Sequence, residues 1–204
     1  MGRMTVTTAE GDLRARLVAA TAAVIDEDGP LSVRVDNIAR RAGCSRATVY
    51  RYVADKDELV REVLVARSAE IAERLEAGIG DNGDPADWIV DGLLAHADAI
   101  RAEPWFQALD RQGATAAIAK VGGGPQAVAG LAAPIVARFL NRIAARGALR
   151  SDITIDEATE WLVDVHITLL SPLFVDRPPD QRARALRKFV AYPLLVQPAP
   201  PWAH

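Results

Sequence analysis

The 204-residue chain has little from which a crosslink, a metal site or a catalytic centre is made. Its single cysteine, Cys44, excludes an internal disulfide and a cysteine-based metal cluster. A lone thiol in a turn is expected to pack as a small apolar group. The three histidines, His96, His166 and His204, form no HExxH pair, and no carboxylates stand at metal-ligand spacing. A phosphate-binding loop and a Gly-x-Ser-x-Gly elbow are also missing. The expectation is therefore neither an enzyme nor a cofactor carrier. No apolar run approaches the ~20 residues of a bilayer span, and the opening MGRMTVTTAEGD lacks the apolar stretch of a signal peptide. A cytoplasmic protein with no membrane partner follows as an expectation. Aromatic residues make up 5% of the chain while alanine and leucine abound, a balance that favours helices over a sheet. The fold class expected is all-α.

A large charge of one sign is missing too, since the net charge is only -3. That figure averages over unlike parts. Between Arg34 and Lys56 six basic residues face two acidic ones, a local net of +4. A basic island in an acidic chain is the footprint of contact with a polyanion, and equally of a solvated face.

The pattern around the island decides between these. Leu13, Leu17, Ala20 and Val24 recur at helical spacing and stop at Asp28-Gly29-Pro30. A shorter segment places Val35, Ile38, Ala39 and Ala42 on one face and breaks at Gly43, where the chain can turn sharply. Ser45 then stands where an N-cap belongs, ahead of RATVYRYV. Two short helices joined by a tight turn make a helix-turn-helix. At ~100° per residue, Val49 faces inward while Arg46, Ala47, Tyr50 and Arg51 spread over the outside. Such a surface suits the major groove, where arginine pairs with guanine and an alanine methyl meets thymine. Asp55 with Glu58 makes a start like a capping box for the next helix, and puts Lys56 at a helix N-terminus that favours phosphate.

The run IARRAGCSRATVYRYVADKDEL, preceded by a helix and a Gly-Pro turn, resembles the DNA-binding domain of the tetracycline-repressor-like (TetR) family of transcriptional regulators. The resemblance covers the first quarter to third of the chain. It implies base contacts from Arg46, Ala47, Thr48 and Arg51, with phosphate contacts from Tyr50, Tyr52 and Lys56. Ser45 joins this set as the cap at the start of the recognition helix. Two positions depart from the family pattern. Val53 stands where phenylalanine is commoner, and Arg34 replaces a frequent threonine, exchanging a hydroxyl contact for an arginine-phosphate one.

The remainder is helical in pattern and carries no chemical motif. Pro85 and Pro104 open helices, VGGGPQ breaks the chain, and Thr154 with Glu157 forms a capping box ahead of a helix lined by Ala158, Trp161, Leu162, Val165 and Leu169. A last helix begins at PDQRARAL. The resemblance implies an N-terminal three-helix DNA-binding domain, taken as residues 1-60, then a helical bundle over 61-204 that binds an effector and dimerises. Aromatic residues there are first of all core anchors. Trp88, Trp105, Phe106, Phe139, Trp161 and Phe174 are the candidate walls of an effector pocket, with His96 and His166 as orienting polar groups. Surplus apolar positions at Leu162, Leu170, Ala185, Phe189 and Tyr192 are the candidate dimer surface. The function expected is a repressor released from a near-palindromic operator in double-stranded DNA by an apolar or amphipathic small molecule. An activator, a constitutive DNA binder, and a helical module docking an acidic protein remain open beside it.

Overall fold

The computed structural model describes residues 4-76, 83-110, 125-171, 174 and 176-196, with side chains for all of these except 4-10, 110 and 125-132. They form helices α1 (Met4–Asp28), α2 (Val35–Ala42), α3 (Arg46–Tyr52), α4 (Lys56–Glu76), α5 (Pro85–Ala102), α6 (Pro104–Asp110), α7 (Pro125–Ala144), α8 (Ile155–Leu169) and α9 (Pro179–Leu186). Among the described residues no strand is present beyond one isolated antiparallel bridge, Leu149 to Leu195. Residues 121-124 of the VGGGPQ break lie outside the described residues.

The chain divides into two compact units, Met1–Ser68 with Ala102–Val128, and Ala69–Arg101 with Ala129–His204. In the first, Leu17, Val24 and Ile25 of α1 are enclosed with Val33, Ile38, Val49, Leu59 and Val60. Gly29, at φ 81°, ends α1 and lets Pro30–Ser32 wind into a single 3-10 turn. A buried hydroxyl beside this core, Thr21 Oγ1, donates to Leu17 O at 2.8 Å, so it costs no unmet hydrogen bond. Helix α6 packs on α1 and on the 3-10 turn.

In the second unit Ile89, Leu140, Ile143, Ala158 and Leu162 form the interior with Leu186, Val190, Ala191 and Leu194. Thr154 caps α8 by accepting from Glu157 N at 3.2 Å, and the Glu157 carboxylate accepts from Thr154 N at 2.9 Å, so the expected capping box is complete. The last helix is less regular than its sequence pattern. Beyond α9 the chain widens into a π-helical turn, Arg187–Ala191, before a short turn at Tyr192–Leu194. Pro193 supplies the reason. Its ring would press on the carbonyl four residues back, and a wider turn relieves that clash while Tyr192 N donates to Arg187 O.

Candidate nucleic-acid interface

The interface is built from α2, the turn after it, and α3. Four buried residues hold α2 down, Val35, Ile38, Ala39 and Ala42. Gly43, at φ 66° and ψ 40°, takes the left-handed conformation that ends the helix, as its sequence position predicts. Ser45 is extended, and its hydroxyl oxygen accepts from Thr48 N at 3.1 Å, so the predicted cap is made. Ser45 Oγ also lies 2.8 Å from Thr48 Oγ1, which fixes the threonine hydroxyl that stands among the base-reading candidates.

Val49 is the one fully buried residue of α3, and it anchors the helix. Arg46, Ala47, Tyr50 and Arg51 are exposed together, Tyr50 to 51%. A tyrosine hydroxyl flanked by two guanidinium groups is a surface that phosphates and base edges can meet. The Arg51 guanidinium lies 5.9 Å from the centre of the half-buried Tyr52 ring. Two of the cations are held by carboxylates. Arg46 Nη1 pairs with Asp36 Oδ1 at 3.0 Å, and Lys56 Nζ with Asp57 Oδ1 at 2.6 Å. Exposed pairs of this kind are worth ~0-1 kcal/mol, so a base edge or a phosphate can displace them cheaply. Arg34 occupies the N-cap of α2 and makes no capping bond there. Having no acceptor, its guanidinium cannot cap the helix, and the Arg34 carbonyl instead accepts from Asn37 N at 3.0 Å.

At the start of α4, Asp55 Oδ1 accepts from Glu58 N at 2.9 Å, the first half of the expected box. The return bond differs from a strict capping box: Glu58 Oε2 accepts from Ala54 N at 3.0 Å, one residue before the cap. Val53, the departure from the phenylalanine pattern, is enclosed all the same. Cys44, expected to be buried, is partly exposed in the turn and free. Two participants carry no sequence signal. Arg14 Nη1 donates to Tyr52 O at 3.1 Å, and Arg16 Nη2 donates to Ala42 O. They sit on the polar side of α1, and only the folded chain brings them to the ends of α3 and α2.

Residues 17-63 match the family model described as "Bacterial regulatory proteins, tetR family". An HTH-type transcriptional regulator of Mycobacterium tuberculosis is 24% identical over 179 residues, 86% of this chain and 82% of that one. Among solved structures, the Rhodococcus erythropolis transcriptional repressor QsdR superposes with a TM-score of 0.69 at 23% identity, covering 88% of this chain and 94% of its own. Residues 17-63 are thus a TetR-family DNA-binding domain. RolR, solved with resorcinol bound, shares the fold at a TM-score of 0.65 and 19% identity, with 90% of each chain covered. With this domain the chain is a DNA-binding transcriptional regulator and not an enzyme. No helix among the described residues is long and apolar enough to cross a membrane.

The remaining candidates of this regulator are spread over both units. Trp88, His96, Phe139, His166 and Phe174 lie in the second. Trp88 is buried in its core with Phe139 and Phe174 packed against that core, and the Arg146 guanidinium stands 4.0 Å from the Trp88 ring centre. His96 Nδ1 and His166 Nε2 face each other at 3.1 Å across α5 and α8. Burial, with His96 adding to it, pushes the His166 pKa down to about 3. Trp105 and Phe106, expected in the same pocket, belong to the first unit, where α6 buries both rings. Trp161 also departs from expectation. It is 47% exposed, because the buried stripe of α8 runs through Ala158, Leu162 and Leu169 and leaves the tryptophan beside it. Leu162, expected at the dimer surface, is 1% exposed inside its own subunit and has no area to offer a partner. Phe189 and Tyr192 are 65% and 42% exposed, while Leu170 and Ala185 are half-buried.

Proposed function

We propose that this regulator is a homodimeric repressor whose two copies of α3 enter successive major grooves of a near-palindromic operator. The observation that carries this reading is the single outward face of α3, on which Arg46, Ala47, Tyr50 and Arg51 stand exposed while Val49 alone is buried. Arg46, Ala47, Thr48 and Arg51 read bases. Tyr50, Tyr52, Lys56 and Arg34 hold phosphates, and Ser45 fixes the helix start. One such helix reads only a few base pairs, which is why two half-sites are needed. Residues 1-60 then serve DNA and 61-204 serve effector and partner, with α4 running through both. Phe189 and Tyr192, with Leu170, Ala185 and the unexpectedly exposed Trp161, are the apolar surface from which a second copy would gain burial.

An apolar or amphipathic effector, held in the second unit near His96 and His166, lowers operator affinity by favouring a dimer with the wrong half-site spacing. Trp88, Phe139 and Phe174 supply apolar surface to that unit, and the resorcinol complex of RolR lends the effector role support on the same fold.

Selection of bound fragments from a random duplex pool tests the proposal. A recovered palindrome, with affinity that falls steeply as salt rises, supports it. Failure to select any sequence would favour the module that docks an acidic protein. A ligand that raises the melting temperature should also weaken operator binding. Stabilising ligands that leave the operator bound would point to a constitutive binder instead, and ligands that tighten binding to an activator.

A further inference from the structure

Helix α3 has seven residues and one fully buried anchor, too little to fix its own direction. Its start is held by the Ser45 cap. Its end is held from another helix. Arg14 of α1 reaches the last carbonyl of α3, Tyr52 O, with Nη1 at 3.1 Å. With Nη2 it meets Glu58 Oε1 at 3.2 Å and Glu62 Oε2 at 2.8 Å, both on α4. Glu58 in turn uses its other oxygen to accept from Ala54 N, at 3.0 Å, in the turn between α3 and α4. One guanidinium therefore ties together the end of α3, the turn after it and the first two turns of α4. Two residues on, Arg16 donates to Ala42 O, the last carbonyl of α2. The two helices of the DNA-reading motif both end on an arginine of α1.

We infer that Arg14, assisted by Arg16, is a positioning residue for operator recognition. The physical chemistry favours it twice. The last carbonyls of a helix have no intrahelical donor and carry partial negative charge, so a cation with N–H groups is the natural cap. Serving a carbonyl and two carboxylates at once demands a planar fork, which lysine lacks. The Arg14 side chain is 40% exposed, and ion pairs so open to solvent add little to stability. What the contacts constrain is angle. A shift of α3 about Val49 displaces Arg46 and Arg51 from base edges while leaving the phosphate-seeking charge of the motif intact. Loss of Arg14 should thus reduce discrimination between operator and other DNA more than it reduces binding to DNA in general.

This inference rests on the DNA-binding reading. The test uses the full-length chain and variants Arg14→Lys, Arg14→Met and Glu62→Gln. Affinity for the selected operator and for a scrambled duplex is measured by anisotropy at one salt concentration, and melting temperature by circular dichroism. Arg14→Lys should bind scrambled DNA within about two-fold of wild type yet lose about ten-fold in operator affinity, a change of ~1.4 kcal/mol. Arg14→Met should lose the same discrimination. Glu62→Gln, which leaves Arg14 on Tyr52 and Glu58, should lose less. Hydrogen exchange at the Ala54 amide should quicken in Arg14→Lys, with the amides of α1 unchanged. An operator-to-scrambled ratio equal to wild type in Arg14→Lys would overturn the positioning role, whether or not the melting temperature falls. A wild-type chain with no ratio to lose would overturn the DNA-binding reading itself, and the positioning role with it.

Discussion

The facing imidazoles of His96 and His166 make the second unit sensitive to acid, and the size of that effect can be worked from the structure. At 3.1 Å the two nitrogens can share one proton between them but cannot both carry one. Burial first, and the neighbouring His96 second, hold the His166 pKa down to about 3, whereas an unfolded histidine titrates near ~6.5. The sign follows. Above about pH 7 the ring is neutral in both states and contributes no slope; below ~6.5 the unfolded chain takes up a proton that the folded chain refuses. Stability is therefore full at neutral pH and falls as pH drops, by up to about 1.4 kcal/mol per pH unit, until the folded pKa is reached. Between pH 8 and pH 5 the loss amounts to about 2 kcal/mol, a ceiling because the ring is only partly enclosed. Two carboxylates with lowered pKa stay ionised through this window. Glu157, held by Thr154, and Asp152, held by Arg150, both titrate below the ordinary carboxylate range. Urea unfolding followed by circular dichroism at pH 8, 6.5 and 5, on wild type and His166→Gln, reads the effect. The wild type should lose about 2 kcal/mol more than the variant over that range. Parallel pH profiles for the two proteins would refute the reasoning, since the missing proton would then lie elsewhere.

Three other outcomes are expected. Arg46→Ala should relax preference at one base pair per half-site by ~1-3 kcal/mol, whereas Lys56→Ala should weaken all duplexes alike and lower the salt slope; competition binding against single-base operator variants separates the two. Thr154→Ala removes the cap of α8 and should cost about 1 kcal/mol in urea unfolding, and a smaller change in Thr154→Ser would tie the loss to the hydroxyl. Phe189→Glu with Tyr192→Glu, both on exposed side chains, should leave helix content intact while sedimentation reports a monomer with much weaker operator binding. Loss of helix in that double variant would mean that the pair belongs to its own subunit's core.

What the sequence by itself determined is local. The end of α1 at Gly29, the left-handed turn at Gly43, the Ser45 cap, the proline starts of α5 and α6 and the capping box at Thr154 all follow from residues within four positions of one another. Over so short a span backbone sterics and single hydrogen bonds decide the conformation, and the inward Val49 with the outward Arg46 and Tyr50 follows from helical period alone. Tertiary structure decided everything that depends on which helix meets which. Periodicity could not tell that Leu162 fills the core while its neighbour Trp161 stays outside, because both fall on the same broad apolar stripe and only the position of the facing helices separates them. It could not divide the aromatic residues between units, since Trp105 and Phe106 look like any other core anchors until α6 is seen packed on α1. The meeting of His96 with His166, 70 positions apart, and of Arg14 with Tyr52, 38 apart, leaves no mark in the order of residues. Such contacts arise when buried area brings distant segments together, and that area is a property of the packed chain.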